Sequence, residues 1–192
     1  MTQPRDGIDP PPPTPPVGGR LLGLPAVADA GTRVLLLGSF PGAASLAAQQ
    51  YYGHPRNQFW PIVGALIGQP LAAQPYAQRL CTLRAHGLGL WDVYAACRRE
   101  GSLDSAIEQA EPNDLPGLLA RLPQLAAIAH NGGESARSLR ITRAFGVPVY
   151  RLPSTSPANA SWSFERKLAA WREALGPHLL VEPSTPGPSA TA

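Results

Sequence analysis

Lysine is almost missing from this chain. Fifteen of its 16 basic residues are arginine, and Lys167 is the one lysine. Chemistry through a lysine Schiff base therefore has a single candidate, whereas the planar guanidinium fork suits phosphate contacts. A GC-rich genome explains the bias as readily as function does, and the consequence for mechanism is the same. Cysteine is scarce too: Cys81 and Cys97 form no CxxC, and the four histidines are scattered. No disulfide framework, zinc site or four-cysteine iron–sulfur cluster can be drawn, so neither metal nor cofactor is expected. No apolar run approaches the ~18 residues of a membrane span, and the start, MTQPRDGIDP, has no apolar signal core. A soluble, reduced, cytoplasmic protein with no membrane partner is the expectation. A GxSxG nucleophile is absent as well, which sets aside a small-molecule α/β hydrolase.

Proline, by contrast, is abundant, with 23 residues, and ten of the first twenty positions are Pro or Gly. Polyproline II or disorder is expected over residues 1–20 and again over 182–192, because such segments have no apolar surface to bury. A PxxP ligand for a partner domain is the alternative for the head. Residues 21–181 remain as one domain, in keeping with the length of 192 and an apolar fraction of 44%. They carry 14 basic and 10 acidic residues, a net charge of +4. That permits an anionic partner without requiring one.

Four short apolar runs read as strands: Arg33–Gly38, Gly87–Val93, Leu125–His130 and Val147–Leu152. They are continuous rather than alternating, as in strands buried on both faces of a parallel sheet. Helical patterns lie between them. Phe164, Leu168, Trp171 and Leu175 define a final amphipathic helix, Tyr76, Leu80 and Leu83 another, and Glu134–Phe145 a third. Lys167 is expected on the solvated side of the final helix. The alternation predicts an α/β fold, a three-layer α/β/α sandwich around a four-stranded parallel sheet. In such sheets ligands bind beyond the C-terminal strand ends.

Two of those ends run into loops of small residues. The first is Gly38-Ser39-Phe40-Pro41-Gly42-Ala43; the second is Pro153-Ser154-Thr155-Ser156-Pro157-Ala158-Asn159-Ala160. Either could bring backbone amides to a phosphate or be a plain connection. The segment QQYYGHPRNQFW, residues 49–60, is richer. It places Tyr51, Tyr52, His54, Arg56 and Asn57 together, offering stacking faces beside hydrogen-bonding groups, which suits a flipped or single-stranded base. Equally, Asn57 reads as the cap of a helix over Gln58–Ile67, with Phe59 and Trp60 in the core.

GSFPGA, YYGHPRNQFW and LPSTSPANA, in this order, together resemble the uracil-DNA glycosylase superfamily, and within it the hypoxanthine-DNA (deoxyinosine) glycosylase branch. The resemblance spans essentially the whole domain and implies the same four-stranded sandwich. It also implies a DNA glycosylase that removes hypoxanthine, acting as a monomer on double-stranded or single-stranded DNA carrying deaminated bases. Its setting is the bacterial cytoplasm, at the nucleoid when acting. The mismatch-specific branch has a motif like GINPG whose Asn positions the attacking water. Phe40 stands at that position here and can neither donate nor accept. The hypoxanthine branch is understood to use the Asn of its HPRN segment, which is Asn57 in this chain.

By the same resemblance Tyr52 is the base-stacking aromatic, with its neighbour Tyr51 as the alternative for that role, and Phe40 and His54 line the base. Asp92 stands where uracil enzymes carry an Asn that reads the base edge. It can accept from hypoxanthine N1–H or cap the next segment. Asn131 is either a second edge reader or part of an Asn-Gly-Gly turn. Ser39, Arg56, Ser154, Ser156, Pro157, Ala158 and Asn159 become DNA contacts. Ser154 occupies the place of a His that stabilises the leaving group in uracil enzymes, and Ala158 that of a bulky wedge, usually Leu. A uracil or mismatch glycosylase and a catalytically inactive DNA-binding module are the rival readings.

Overall fold

The computed structural model describes residues 19–180. Of the segments expected to be disordered, residues 1–18 and 182–192 lie outside the described residues, while Arg20, also expected there, opens the first strand. Its strands are β1 (Arg20–Leu22), β2 (Val34–Gly38), β3 (Leu88–Asp92), β4 (Tyr94–Arg98), β5 (Glu108–Pro112), β6 (Ala127–Asn131) and β7 (Val149–Leu152). The α-helices are α1 (Ala43–Ala48), α2 (Phe59–Ile67), α3 (Tyr76–Ala85), α4 (Leu115–Leu119), α5 (Leu139–Thr142) and α6 (Phe164–Leu175).

Each predicted apolar run became a strand of one parallel sheet in the order β3-β2-β6-β7. β2 is buried at every position because it faces two cores. Val34 and Leu36 pack with Phe59, Ile62, Leu83, Trp171 and Leu175 from α2, α3 and α6. Leu35 and Leu37 point the other way, to Leu115, Leu118, Leu119 and Leu122 at and beyond α4. The period-2 alternation of side chains thus builds a three-layer sandwich from a uniformly apolar strand. From β2 the chain passes to β3 on one side and later to β6 on the other. The switch point therefore lies beyond the C-terminal ends of β2 and β6.

Three features depart from the sequence reading. A second sheet, antiparallel in the order β1-β4-β5, flanks the first. Its strand β5, Glu-Gln-Ala-Glu-Pro, is exposed throughout and has no apolar pattern to announce it. The expected helix over 134–145 is broken into a 3-10 turn, the short α5 and another 3-10 turn. There Thr142 Oγ1 bonds the Ser138 and Leu139 carbonyls, and such side-chain bonds compete with regular helix. The third is Lys167. It is not solvated but 2% exposed, on the same face of α6 as Trp171 and Phe164. Its Nζ donates to Gln58 Oε1 at 2.8 Å, and burial lowers its pKa. One strong polar partner let a cation sit on the apolar stripe.

Candidate active site

One cavity of about 600 Å³ opens beyond the C-terminal ends of the parallel sheet. It is lined by all fourteen residues singled out from the sequence: Ser39, Phe40, Tyr51, Tyr52, His54, Arg56, Asn57, Asp92, Asn131, Ser154, Ser156, Pro157, Ala158 and Asn159. It also takes in Ser102, Leu103 and Asp104 from the β4–β5 connection, which the sequence reading missed. In a polar stretch such as EGSLDS nothing distinguishes a pocket wall from a turn.

The floor is built by backbone that allows two side chains to converge. A Cβ on Gly38, at the end of β2, would overlap Asp92 Oδ1 and come within 3.3 Å of the Tyr52 hydroxyl. Tyr52 holds φ of 53°, a left-handed conformation that is strained for a bulky side chain and recurs at functional sites. One face of its ring stacks on Phe59 at 3.7 Å between centroids and 11° between planes. Only the opposite face is available to a base. The hydroxyl and Asp92 Oδ2 are both buried, and neither makes a hydrogen bond among the described residues. Buried polar atoms left unpaired cost on the order of 1–3 kcal/mol each, so a native pair of them at a cavity floor points to a ligand that completes them.

Electrostatics follows from this burial. Asp92 is 4% exposed, and desolvation pushes its pKa up to about 7. Repulsion from Asp104 adds to the rise, and Arg99 opposes it. Burial likewise raises the Tyr52 hydroxyl, and the Asp92 charge adds to the rise. Asp104 is raised by burial, although it accepts from Ser39 Oγ at 2.6 Å. Arg99 supports the first loop from behind: its Nη2 donates to the Pro41 carbonyl, and its guanidinium lies 5.2 Å from the Phe40 ring centroid.

The 49–60 segment divides its labour. Tyr51, 3% exposed, is an anchor: its hydroxyl donates to the Leu24 or Pro25 carbonyl, and the Tyr51 carbonyl accepts from Trp60 Nε1. Asn57 Oδ1 accepts the Phe59 amide at 3.0 Å, which fixes the orientation of its carboxamide at the start of α2. The helix starts one residue later than expected, with Gln58 rather than Asn57 as its N-cap, so Asn57 stands just before it and makes a turn bond. That bond is compatible with a pocket role because the carbonyl oxygen has a second lone pair.

On the far wall Asn131 is committed to Thr155. Its Nδ2 donates to Thr155 Oγ1 at 2.9 Å, and its Oδ1 accepts the Thr155 amide at 3.0 Å. Thr155 in turn offers its carbonyl to the Gln58 amide at 3.0 Å. The loop after β7, the end of β6 and the start of α2 are thus tied as one unit, with Lys167 beneath Gln58. Ser154 and Ser156 accept from the amides two residues on, and Asn159 Nδ2 donates to the Ser154 carbonyl. This stiffens the rim of small residues. No group of three or more His, Cys, Asp or Glu among the described residues could hold a metal ion.

Gly38→Ala tests the floor directly. The added methyl should displace Asp92 or Tyr52 at about 1–3 kcal/mol, the usual cost of overpacking. Urea denaturation should show that loss together with impaired function. Wild-type stability in the variant would mean that the two side chains do not need this close approach.

A cleft at the switch point of a parallel α/β sheet, floored by unpaired polar groups and ringed by small-residue loops, is a ligand site of the kind doubly wound folds carry. Residues 25–175 match the model of the uracil DNA glycosylase superfamily. A hypoxanthine DNA glycosylase of Methanosarcina acetivorans is 43% identical over 145 residues, 76% of this chain and 92% of that protein. A hypoxanthine DNA glycosylase of Methanosarcina barkeri is 40% identical over 153 residues, 80% and 96% of the two chains. The solution NMR structure of a candidate uracil DNA glycosylase from M. acetivorans superposes with a TM-score of 0.72 at 40% identity. It covers 81% of this chain and 99% of that one. The chain belongs to the uracil DNA glycosylase superfamily.

Proposed function

We propose that this protein is a monofunctional DNA glycosylase that flips hypoxanthine out of deaminated DNA, hydrolyses its N-glycosidic bond and leaves an abasic site. The observation that carries this reading is the unpaired Asp92 Oδ2 and Tyr52 hydroxyl at the floor of the cavity. Hypoxanthine presents an N1–H donor beside its O6 acceptor. An ionised Asp92 accepts from N1–H; a protonated one also donates to O6, as an Asn would. Relatives named hypoxanthine DNA glycosylases support the substrate assignment.

In this reading the flipped nucleotide enters over Tyr52, and extrusion costs a few kcal/mol, least for a poorly paired base. Asn57, held by the Phe59 amide, orients water toward C1′ through its remaining lone pair. An amide is a weak base, so it works by positioning and by stabilising the oxocarbenium-like transition state. Water adds to C1′ as the C1′–N9 bond breaks, its electron pair leaving with the purine; the proton that the water gives up passes to solvent, and a purine nitrogen takes one up. Arg56, Ser154, Ser156 and the backbone of residues 157–159 meet the phosphates, with Ser39 at the floor side. The partner is duplex or single-stranded DNA, the active form a monomer, and the setting the cytoplasm.

A base-release panel over inosine, xanthine, uracil and ethenoadenine duplexes tests this reading. Preferential release of hypoxanthine is expected. Equal rates on uracil would move the assignment to a broader uracil or mismatch enzyme, and binding without release from any substrate would leave an inactive binding module. Strand cleavage is not expected. The one lysine amine, Lys167 Nζ, is buried against Gln58 and does not line the cavity. Borohydride should trap no covalent protein–DNA adduct, and a trapped adduct would make the enzyme bifunctional.

A further inference from the structure

Large apolar side chains that stand in solvent are few among the described residues: Leu22, Leu103, Ile141 and Leu180. Only Leu103 of these lines the cavity, and it is 59% exposed. A single exposed leucine on a surface needs no explanation. This one differs because both its neighbours are fastened. Ser102 Oγ accepts the Ala43 amide at 2.9 Å, at the start of α1. Asp104 accepts from the Ser39 hydroxyl at 2.6 Å, at the end of β2. The two bonds hold the β4–β5 connection against the loop that forms the cavity floor, and between them an isobutyl group is left at the mouth with no apolar partner to bury it. Facing loops offer nothing comparable: Ser154, Ser156, Ala158 and Asn159 are all small or polar.

We propose that Leu103 is the wedge of this enzyme, entering the base stack to occupy the space that the flipped nucleotide vacates. This rests on the base-flipping reading above. Taking a nucleotide out of a duplex leaves a gap, and apolar side chains between base steps are the common way proteins hold such a distortion open. Leu103 has the features that job demands. It is apolar and exposed before binding, so the duplex buries surface that the free protein cannot. It is preorganised by its neighbours, so little conformational entropy is lost on insertion. It also sits on the rim of the cavity that receives the base. The wedge therefore comes from the β4–β5 connection rather than from the loop after β7, where Ala158 offers too little side chain.

A wedge acts on the duplex, not on the bond being broken, and that separates it from a pocket-wall role. Single-turnover excision of hypoxanthine should be compared on one sequence as duplex and as single strand, for wild type, Leu103→Ala and Leu103→Phe. The duplex-to-single-strand rate ratio should fall at least tenfold in Leu103→Ala and recover in Leu103→Phe. The fall should be steeper opposite cytosine, which pairs well with hypoxanthine, than opposite a base that pairs poorly. An unchanged ratio, whether both rates fall together or neither falls, would overturn the proposal. If the wild type releases no hypoxanthine from either form, the functional reading fails, and the wedge is then judged on binding alone. 2-Aminopurine placed opposite the lesion should brighten when wild type binds and stay dim with Leu103→Ala. Equal brightening would sink it.

Discussion

Asn57→Ala is expected to slow single-turnover release of hypoxanthine by about 10²–10⁴-fold, the range for loss of one positioned proton-handling or charge-stabilising group. Duplex affinity should change little, because the phosphates meet other residues. Asn57 Oδ1 takes the Phe59 amide at the start of α2, so the side chain cannot swing, and it lines the same cavity as Asp92 and Tyr52. Loss of that bond also has a structural cost of about 1 kcal/mol, typical of a helix-start hydrogen bond. In a protein of this size that lowers the melting temperature by roughly 2–4 °C. Since 1.4 kcal/mol is a factor of ten, a hundredfold loss of rate cannot come from the lost Phe59 bond alone. Asn57→Asp separates the two roles: its carboxylate still accepts from Phe59 N–H and can still bind water, so it should melt near wild type and keep more activity than the alanine variant. A rate within tenfold of wild type in Asn57→Ala would remove Asn57 from the mechanism.

The sheet was legible because Val34–Gly38, Leu88–Leu90 and Ala127–Ala129 are continuous runs without a polar residue and are buried at every position, as strands covered on both faces are, whereas the edge strand β7 is mostly half-buried and exposes Arg151. The pocket was legible because its loops leave those same strands. What escaped was whatever lacked a periodic signal. β5 is exposed along its whole length and is held as a strand through β4, so no alternation of its own announces it. Asp104 looks like any loop acid, yet it closes on Ser39 over a sequence separation of 65. Lys167 misled for the opposite reason: the chemistry of its type argues for solvent, and a single amide 109 residues away overrules it. Asn131 was open between edge reading and a turn, and its two bonds to Thr155 give it a tethering task that strand-end position alone does not reveal.

Asp92→Asn is expected to make the protein more stable at pH 8 than wild type and no more stable near pH 4. In the native state burial, assisted by Asp104, raises the Asp92 carboxyl from 3.8 to about 7. Below about pH 4 it is protonated in both states and has no effect on the balance. As pH rises from about 4 to 7, the unfolded chain releases the proton and the folded one keeps it. Unfolding is thus favoured progressively, and the penalty is complete above pH 7. Three pKa units at 1.36 kcal/mol each make it about 4 kcal/mol, of which rearrangement in the folded state will take back a part. His130 works in the other direction. Buried between Ser135 and Thr142, its pKa falls to about 4, so its stabilising effect is lost on acidification. Wild type alone would blend these trends, whereas the difference between wild type and Asp92→Asn at each pH isolates the carboxyl. Urea titrations at about pH 4, 6 and 8 should show that difference growing with pH. A constant difference would mean that Asp92 is not held protonated by the fold. The wild-type side chain is therefore one that destabilises the folded protein at neutral pH while presenting an unpaired oxygen to the cavity, the trade expected where a residue is kept for its ligand rather than for the fold.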